Sequence, residues 1–184
     1  MHMIYDPSIH HRQSLRLQGY DYSQEGAYYV TVCTRSKKHL FGKIIGKEMQ
    51  LNAAGKMIES AWRELPGRFP NIDLDEFIIM PNHIHAVFVI IRTNTNESEP
   101  GARSLDRPNG TLPGTVGRIL QAYKSITTDE YITGVKQWGW KPFRRKLWQR
   151  NYWEHVICDN KDYNHICEYI YDNPANWHKD PLNT

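Results

Sequence analysis

The chain has 184 residues, of which 40% are hydrophobic and 12% aromatic, so it can bury a core and is not a disordered chain. Its formal net charge of +3 permits a nucleic-acid partner without requiring one. No apolar run reaches transmembrane length, and residues 1–16 are polar rather than typical of a signal peptide. The three cysteines lack CxxC spacing, which indicates free thiols. We therefore expect a cytoplasmic protein with no membrane partner.

The N-terminal residues differ in composition from the rest of the chain. Residues 1–26 are polar and predict an extension ahead of a single domain at 27–180. Arg12 and Arg16 in this extension are candidates for contact with a DNA phosphate backbone. A solvated tail is the alternative for the same residues.

The first elements of the domain are predicted from β-rich and helical patterns. Residues 27–34 predict a strand, and residues 40–45 and 49–51 predict a short hairpin around a glycine-containing turn. Asn52 is placed to cap a helix with apolar residues at helical spacing, and Pro66 ends that helix.

A second strand pair follows. Residues 74–80 predict a strand that turns at Pro81 and Asn82. The continuously apolar run 86–91 then predicts a central strand that is covered on both faces. The tight turn between them favours an antiparallel pair.

Two histidines, His83 and His85, stand at the start of that central strand. Because successive side chains of a strand alternate, both imidazoles point to one face, where they can chelate a divalent cation. Histidines that only make hydrogen bonds are the alternative, and the pair alone does not decide between the two. Imidazoles at a strand end are expected to contribute little packing.

The middle of the chain contains a loop and a helix. Residues 93–113 are rich in Asn, Ser, Gly and Pro, and they predict a long mobile loop. Thr115 is placed to cap the helix that follows. Residues 132–150 predict an irregular segment.

Within the segment 132–150, residues 136–150 form a basic aromatic segment with six cations, four aromatic rings and no acid. Cations that bind phosphates, with flat rings that stack on bases, are typical of single-stranded nucleic-acid binding. The alternative is that the rings belong to the core and the charges to a solvated face. The candidate DNA-binding residues are Lys136, Lys141, Arg144, Arg145, Lys146, Arg150 and Trp148.

The final helix is predicted to begin with a cap at Asp159 or Asn160 and to run through Asn173. Tyr169 and Tyr171 on this helix point about 160° apart. Tyr169 shares its flank with Asn173, one turn further on, so the two can present a nucleophile and a hard oxygen ligand together. A half-buried tyrosine without a catalytic role is the alternative for Tyr169.

Four segments, in this order along the chain, resemble motifs of the HUH single-tyrosine transposases, and of the REP-associated tyrosine transposase branch in particular. The resemblance runs from about Arg12 to Asp180, and only the loop at 93–113 is unmatched. The ordered set of motifs is more specific than the histidine pair alone. The segments are 16–22, 81–85 with its His–hydrophobic–His motif, 148–155, and 169–174 with Trp177.

The resemblance implies an α+β fold in which an antiparallel central sheet with packed helices carries the histidines on a central strand. This is the HUH nuclease fold, which is similar to ferredoxin-like and RRM-like folds. Glu154 and His155 match the family without a chemical role that can be derived, and a structural role is favoured for them.

The resemblance also implies a reaction, the metal-dependent cleavage of single-stranded DNA. A tyrosine hydroxyl attacks a phosphodiester, which gives a 5′-phosphotyrosine and a free 3′-hydroxyl, and the reverse step transfers the strand. In this pattern His83 and His85 ligate Mg²⁺ or Mn²⁺, Tyr169 is the nucleophile, and Asn173 completes the metal shell, where many relatives carry Gln.

The implied partner is single-stranded or hairpin DNA from short palindromic repeats, and the implied state is a monomer or a homodimer. Two other classes of function fit the same residues. The first is a metal phosphodiesterase that uses activated water, and the second is a non-catalytic nucleic-acid-binding regulator on the same fold. A covalent protein–DNA adduct distinguishes the transposase from both.

Overall fold

The computed structural model of the chain describes residues 24–91 and 114–183. Most of the predicted extension, including Arg12 and Arg16, and the loop predicted at 93–113 lie outside the described residues. The strands are β1 (Gly26–Cys33), β2 (Gly42–Ile45), β3 (Glu48–Leu51), β4 (Ile72–Ile79), β5 (His83–Ile90) and β6 (Trp153–Ile157), and the helices are α1 (Ala53–Arg63), α2 (Val116–Trp138) and α3 (Asn160–Asp172).

Four of these strands form an antiparallel sheet in the order β4-β5-β1-β6. Strand β5 lies between β4 and β1, and all but one of its residues are buried, as its apolar run predicts. Strands β2 and β3 form the predicted hairpin as a separate sheet. The α+β fold with an antiparallel central sheet is therefore confirmed, and the histidine strand is central.

The turn between β4 and β5 is held by hydrogen bonds from both sides. The Met80 backbone N–H donates to the His83 carbonyl at 2.8 Å. The side-chain amide of Asn82 donates to the backbone carbonyls of Lys37, at 3.0 Å, and Leu182, at 2.7 Å. These bonds fix the start of β5, and the predicted antiparallel pair with a tight turn is confirmed.

The two faces of the sheet pack against different helices. Alternate residues of β1 and β5 join a large apolar core with α1 and α2, in which the edge of the Trp62 ring meets Tyr123 at 5.2 Å between centroids. On the opposite face, Tyr29 and Val87 pack against Ile166 and Ile170 of α3. The sheet residues of the large core include Tyr28, Val30, Val32, Ile84, Ala86 and Phe88.

The three helices begin where the local sequence places a cap. The side chains of Asn52, Thr115 and Asp159 each accept a hydrogen bond from a backbone N–H in the first turn. None of the helices within 24–91 and 114–183 combines the length and the apolar character that spanning a membrane requires.

One prediction of local structure is wrong, and one strand was not predicted. The segment predicted as irregular from residue 132 stays helical to Trp138, and Gly139 ends α2 in the left-handed conformation with φ of 66°. A Cβ atom at Gly134 would lie 2.2 Å from the Trp140 ring, so the absence of a side chain lets that ring pack on the helix. Strand β6 was not predicted at all.

Candidate metal and tyrosine site

The imidazoles of His83 and His85 lie side by side at the start of β5. Their Nε2 atoms are 2.9 Å apart, and the rings meet edge to face. Both side chains are buried, and Trp177 lies against the His83 ring. The expectation that these rings contribute little packing is therefore wrong, because Trp177 lies against His83, and Tyr29 and Tyr169 lie against His85.

The hydrogen bonds of Asn82 determine the proton position on His83. Because the amide nitrogen of Asn82 donates to two carbonyls, its oxygen faces His83 Nδ1 at 2.7 Å and can only accept. Nδ1 of His83 must then carry the proton. The lone pair of the neutral ring is on Nε2, which points towards His85.

His85 is supported by two hydroxyl groups of β1. Its Nδ1 lies 2.7 Å from the Tyr29 hydroxyl and 2.9 Å from Thr31 Oγ1. Hydroxyl groups can donate or accept, so they can stabilise the tautomer that leaves Nε2 free to bind a metal. Burial lowers the pKa of His85 to about 3, and burial together with His85 lowers the pKa of His83 to about 2. Both rings are neutral at pH 7, which is the form that ligates metals.

Asp180 adds a carboxylate that was not predicted. Its side chain is 3% exposed, and Oδ2 lies 3.7 Å from His83 Nε2. Oδ1 accepts a hydrogen bond from the Leu182 N–H, whereas Oδ2 is buried without a hydrogen-bond partner. One ligand atom from each of His83, His85 and Asp180 lies within 4.8 Å of the other two. Such a buried acceptor is costly unless a cation or donor satisfies it, so this set fits a divalent metal.

Tyr169 lies beside the histidines, on the α3 flank predicted from the helix angle. Its ring meets the His85 ring edge to face at 5.2 Å between centroids, and the side chain is 43% exposed. Burial and the nearby Asp180 raise the pKa of Tyr169, and a hydrogen bond with Asn173 acts in the opposite direction. Tyr171 is 84% exposed and lines a different pocket, beside the β2–β3 hairpin.

Asn173 is buried at the C-terminal cap of α3, and its side-chain oxygen has no hydrogen-bond partner. It lines a pocket of about 350 Å³ together with Tyr169 and Asp180. The structure thus brings Tyr169, Asn173 and the histidine strand together. The amide oxygen of Asn173 remains a candidate ligand beside the carboxylate of Asp180.

The basic aromatic segment divides into exposed cations and mostly core rings. Its six cations are exposed. Trp140 and Phe143 pack against the core, and Trp138 is exposed. Trp148 is 4% exposed, and its indole N–H donates to Thr127 Oγ1 at 2.8 Å. The prediction that Trp148 stacks on DNA is wrong in this structure, because no face of its ring is accessible.

A larger cleft of about 710 Å³ opens on the same side of the sheet as the histidines. Tyr169 and His85 line it, and so do Trp153 and His155 of the unpredicted strand β6. Glu154, between them in sequence, is buried. The cleft extends from His85 and Tyr169 to strand β6 at the edge of the sheet.

No family model matches the chain. A protein of Escherichia coli K12 named REP-associated tyrosine transposase is 50% identical over 154 residues, which is 84% of this chain and 69% of that protein. The chain belongs to the REP-associated tyrosine transposases. An uncharacterized protein of Haemophilus influenzae is 39% identical to this chain over 181 residues, which is 97% of this chain and 96% of that protein.

A solved structure of a REP-associated tyrosine transposase bound to a REP hairpin has a similar fold, with a TM-score of 0.54. The match covers 92% of this chain and 91% of that one, at 17% identity, and it supports the shared fold alone. Membership of the family supports a role in DNA transposition.

Proposed function

We propose that this transposase cleaves and rejoins single-stranded DNA through a covalent 5′-phosphotyrosine bond at Tyr169. The observation that carries the proposal is the direct contact of the Tyr169 ring with His85, one of three residues with buried side chains whose ligand atoms converge. A nucleophile is therefore next to the ligands that can hold a cation on the phosphate it attacks.

The proposed ligands are His83, His85 and Asp180, with Asn173 as a further oxygen donor. Two imidazoles with a carboxylate suit a divalent cation, and the oxygen ligands favour Mg²⁺ or Mn²⁺ among the common ions. When bound there, the cation would draw charge from the scissile phosphate. Asn82, Tyr29 and Thr31 hold the imidazoles in the required orientation through their outer nitrogens.

The proposed role of Tyr169 is to form a bond from its hydroxyl oxygen to phosphorus. The bond from phosphorus to the 3′ oxygen breaks, the phenolic proton leaves, and the 3′ oxygen takes up a proton. A free phenol is only about one part in a thousand ionised at pH 7, a shortfall of about 4 kcal/mol. Because burial and Asp180 raise the pKa of Tyr169, the site must supply at least comparable activation.

The proposed substrate is single-stranded or hairpin DNA from short palindromic repeats. We propose that the exposed cations of the basic aromatic segment contact phosphates, with Arg12 and Arg16 of the N-terminal extension as further contacts. Trp148 acts in this proposal by packing beneath the segment rather than by stacking on a base. One domain at 27–180, active as a monomer or a homodimer, contains the proposed nucleophile and metal ligands.

A label-transfer experiment tests the function. A palindromic repeat from the DNA beside the gene, with single-stranded flanks, is labelled at its 5′ or its 3′ end and incubated with Mn²⁺. Attack by tyrosine leaves the 3′ label on the protein and releases the 5′ label on a shorter oligonucleotide. Tyr169→Phe should abolish both products, and the matched variant Tyr171→Phe should retain them.

The other outcomes identify the two competing functions. Cleavage that leaves neither label on the protein indicates a phosphodiesterase that uses water. Hairpin binding without cleavage in Mn²⁺ indicates a non-catalytic regulator.

A further inference from the structure

We infer that Trp153 and His155 form a nucleobase-binding shelf beside the nucleophile, on which a base of the single-stranded substrate stacks. The inference rests on the proposed function, because it needs DNA to enter the cleft that contains Tyr169. It assigns to strand β6 a role in holding the substrate.

The shelf consists of two parallel rings on β6, the strand at the edge of the sheet. The rings of Trp153 and His155 are parallel to within 2°, with centroids 5.9 Å apart. Trp153 is 43% exposed, and its edge-to-face contact with Tyr29, at 5.3 Å between centroids, holds it against the sheet. An exposed indole held in one orientation is a suitable surface for base stacking.

Strand register places the shelf close to the metal ligands. Thr31 of β1 pairs with Trp153 on one side and with His85 on the other, so the two rings share a sheet face with a single strand between them. Tyr29 contacts both rings, at 5.3 and 5.7 Å between centroids. The His85 ring in turn contacts Tyr169. A base on the shelf would therefore lie a short distance from the attacked phosphate.

A hydrogen bond fixes the orientation of His155. Asp162, in the first turn of α3, accepts from His155 Nε2 at 2.7 Å and from the Cys158 backbone N–H at 3.3 Å. The ring plane is thereby set before any ligand binds, which reduces the entropy lost on binding.

The cleft itself favours a nucleobase as the occupant. Its volume of about 710 Å³ is within the range of pockets that enclose small organic ligands. Asn151 also lines it and offers both a donor and an acceptor to the edge of a base. Tyr169 lines the same cleft, so a DNA strand that occupies the cleft can contact the shelf and present a phosphate to that hydroxyl.

Binding without metal tests the shelf independently of cleavage. The probes are a fluorescent twelve-nucleotide oligothymidylate and an abasic strand of equal length and charge. Trp153→Leu should weaken binding of the oligothymidylate by about 5- to 150-fold, the effect of removing one stacked base, and leave binding of the abasic strand unchanged. Trp153→Phe should retain most of the affinity, and the exposed control Tyr171→Leu should not alter it.

The outcomes are decisive in each direction. Equal weakening of both strands by Trp153→Leu would mean a structural role, and no weakening would mean no stacking, so either overturns the shelf. Loss of discrimination in Trp138→Leu instead would assign stacking to the basic aromatic segment. If the wild type forms the covalent adduct and Trp153→Leu does not change binding, the shelf alone is overturned. If the wild type binds neither strand, the proposed function is overturned as well.

Discussion

The two faces of the four-stranded sheet are made by alternate residues of the same strands, but they are buried for different purposes. On one face, apolar side chains such as Val30 and Phe88 pack against α1 and α2 in one large cluster. On the other face, His83 and His85 are equally buried, and Asp180 brings an oxygen without a hydrogen-bond partner to them. The first face supplies stability by burying apolar area, and the second retains a costly polar cluster that fits a cation.

The helices reinforce this difference. Both α1 and α2 pack on the apolar face, whereas α3 packs on the polar face around Tyr29 and Val87 and, through Tyr169, against His85. The uncovered part is the cleft that Tyr169 and Trp153 line. Partial coverage therefore leaves the polar face open to a substrate, and substitutions on the two faces should have separable effects.

The largest expected effect is the loss of activity from the polar face. His83→Gln keeps a donor for the Asn82 oxygen but replaces the imidazole ligand. We expect Mn²⁺-dependent cleavage to fall by more than about 100-fold, because loss of an outer-shell partner alone costs about 10–100-fold. Cleavage assays in Mn²⁺ measure this, and unchanged cleavage would show that His83 is not a ligand.

The apolar face should respond in stability instead. Phe88 is fully buried between Trp62 and Tyr28. Phe88→Ala should lower the free energy of unfolding by about 3–5 kcal/mol, because it removes a buried ring and leaves a cavity. Denaturant unfolding with and without Mn²⁺ measures it. A decrease below about 1 kcal/mol would contradict the assignment of this face to the stability core.

Asp180→Asn tests whether the polar face is a metal site with a third ligand. The change keeps the side-chain volume but removes the charge, so we expect Mn²⁺ affinity to fall about tenfold or more. Titration calorimetry measures this without DNA. Tyr169→Phe is the matched control and should bind Mn²⁺ as the wild type does. Equal affinity in Asp180→Asn would exclude the carboxylate from the site.

The smallest effect should come from charges that belong to neither face. Arg144→Ala with Arg145→Ala should reduce the log–log salt slope of single-stranded DNA binding by about 0.7 for each phosphate that the variant no longer neutralises. Lys43→Ala with Lys56→Ala, exposed cations outside the segment, is the control pair. An unchanged slope in the arginine variant would locate the phosphate-binding residues elsewhere.

The sequence predicts local features of the fold well, because their causes are local. Alternation along β5 places His83 and His85 on one face, and the helix angle separates Tyr169 from Tyr171. Side-chain caps mark the starts of the helices. Strand β6 had a signal that was missed, since Trp153, His155 and Ile157 alternate with Glu154 and Val156 as in a strand with two different faces.

Features that depend on distant contacts could not be predicted in this way. Asp180 reaches His83 only because the turn after α3 returns the chain to the sheet, and no spacing motif relates the two residues. Trp148 has the composition of a base-stacking ring, but packing against Phe41 and Tyr123 buries it. Tertiary packing decides which aromatic residues of this chain remain accessible to DNA.

The most direct test of the central claim is peptide mapping of the covalent adduct formed with single-stranded target DNA and Mn²⁺. The contact between the Tyr169 ring and His85, with Tyr171 on the opposite flank of α3, predicts a nucleotide remnant on Tyr169 and none on Tyr171. A remnant on Tyr171, or cleavage with no remnant on any tyrosine, would contradict the account.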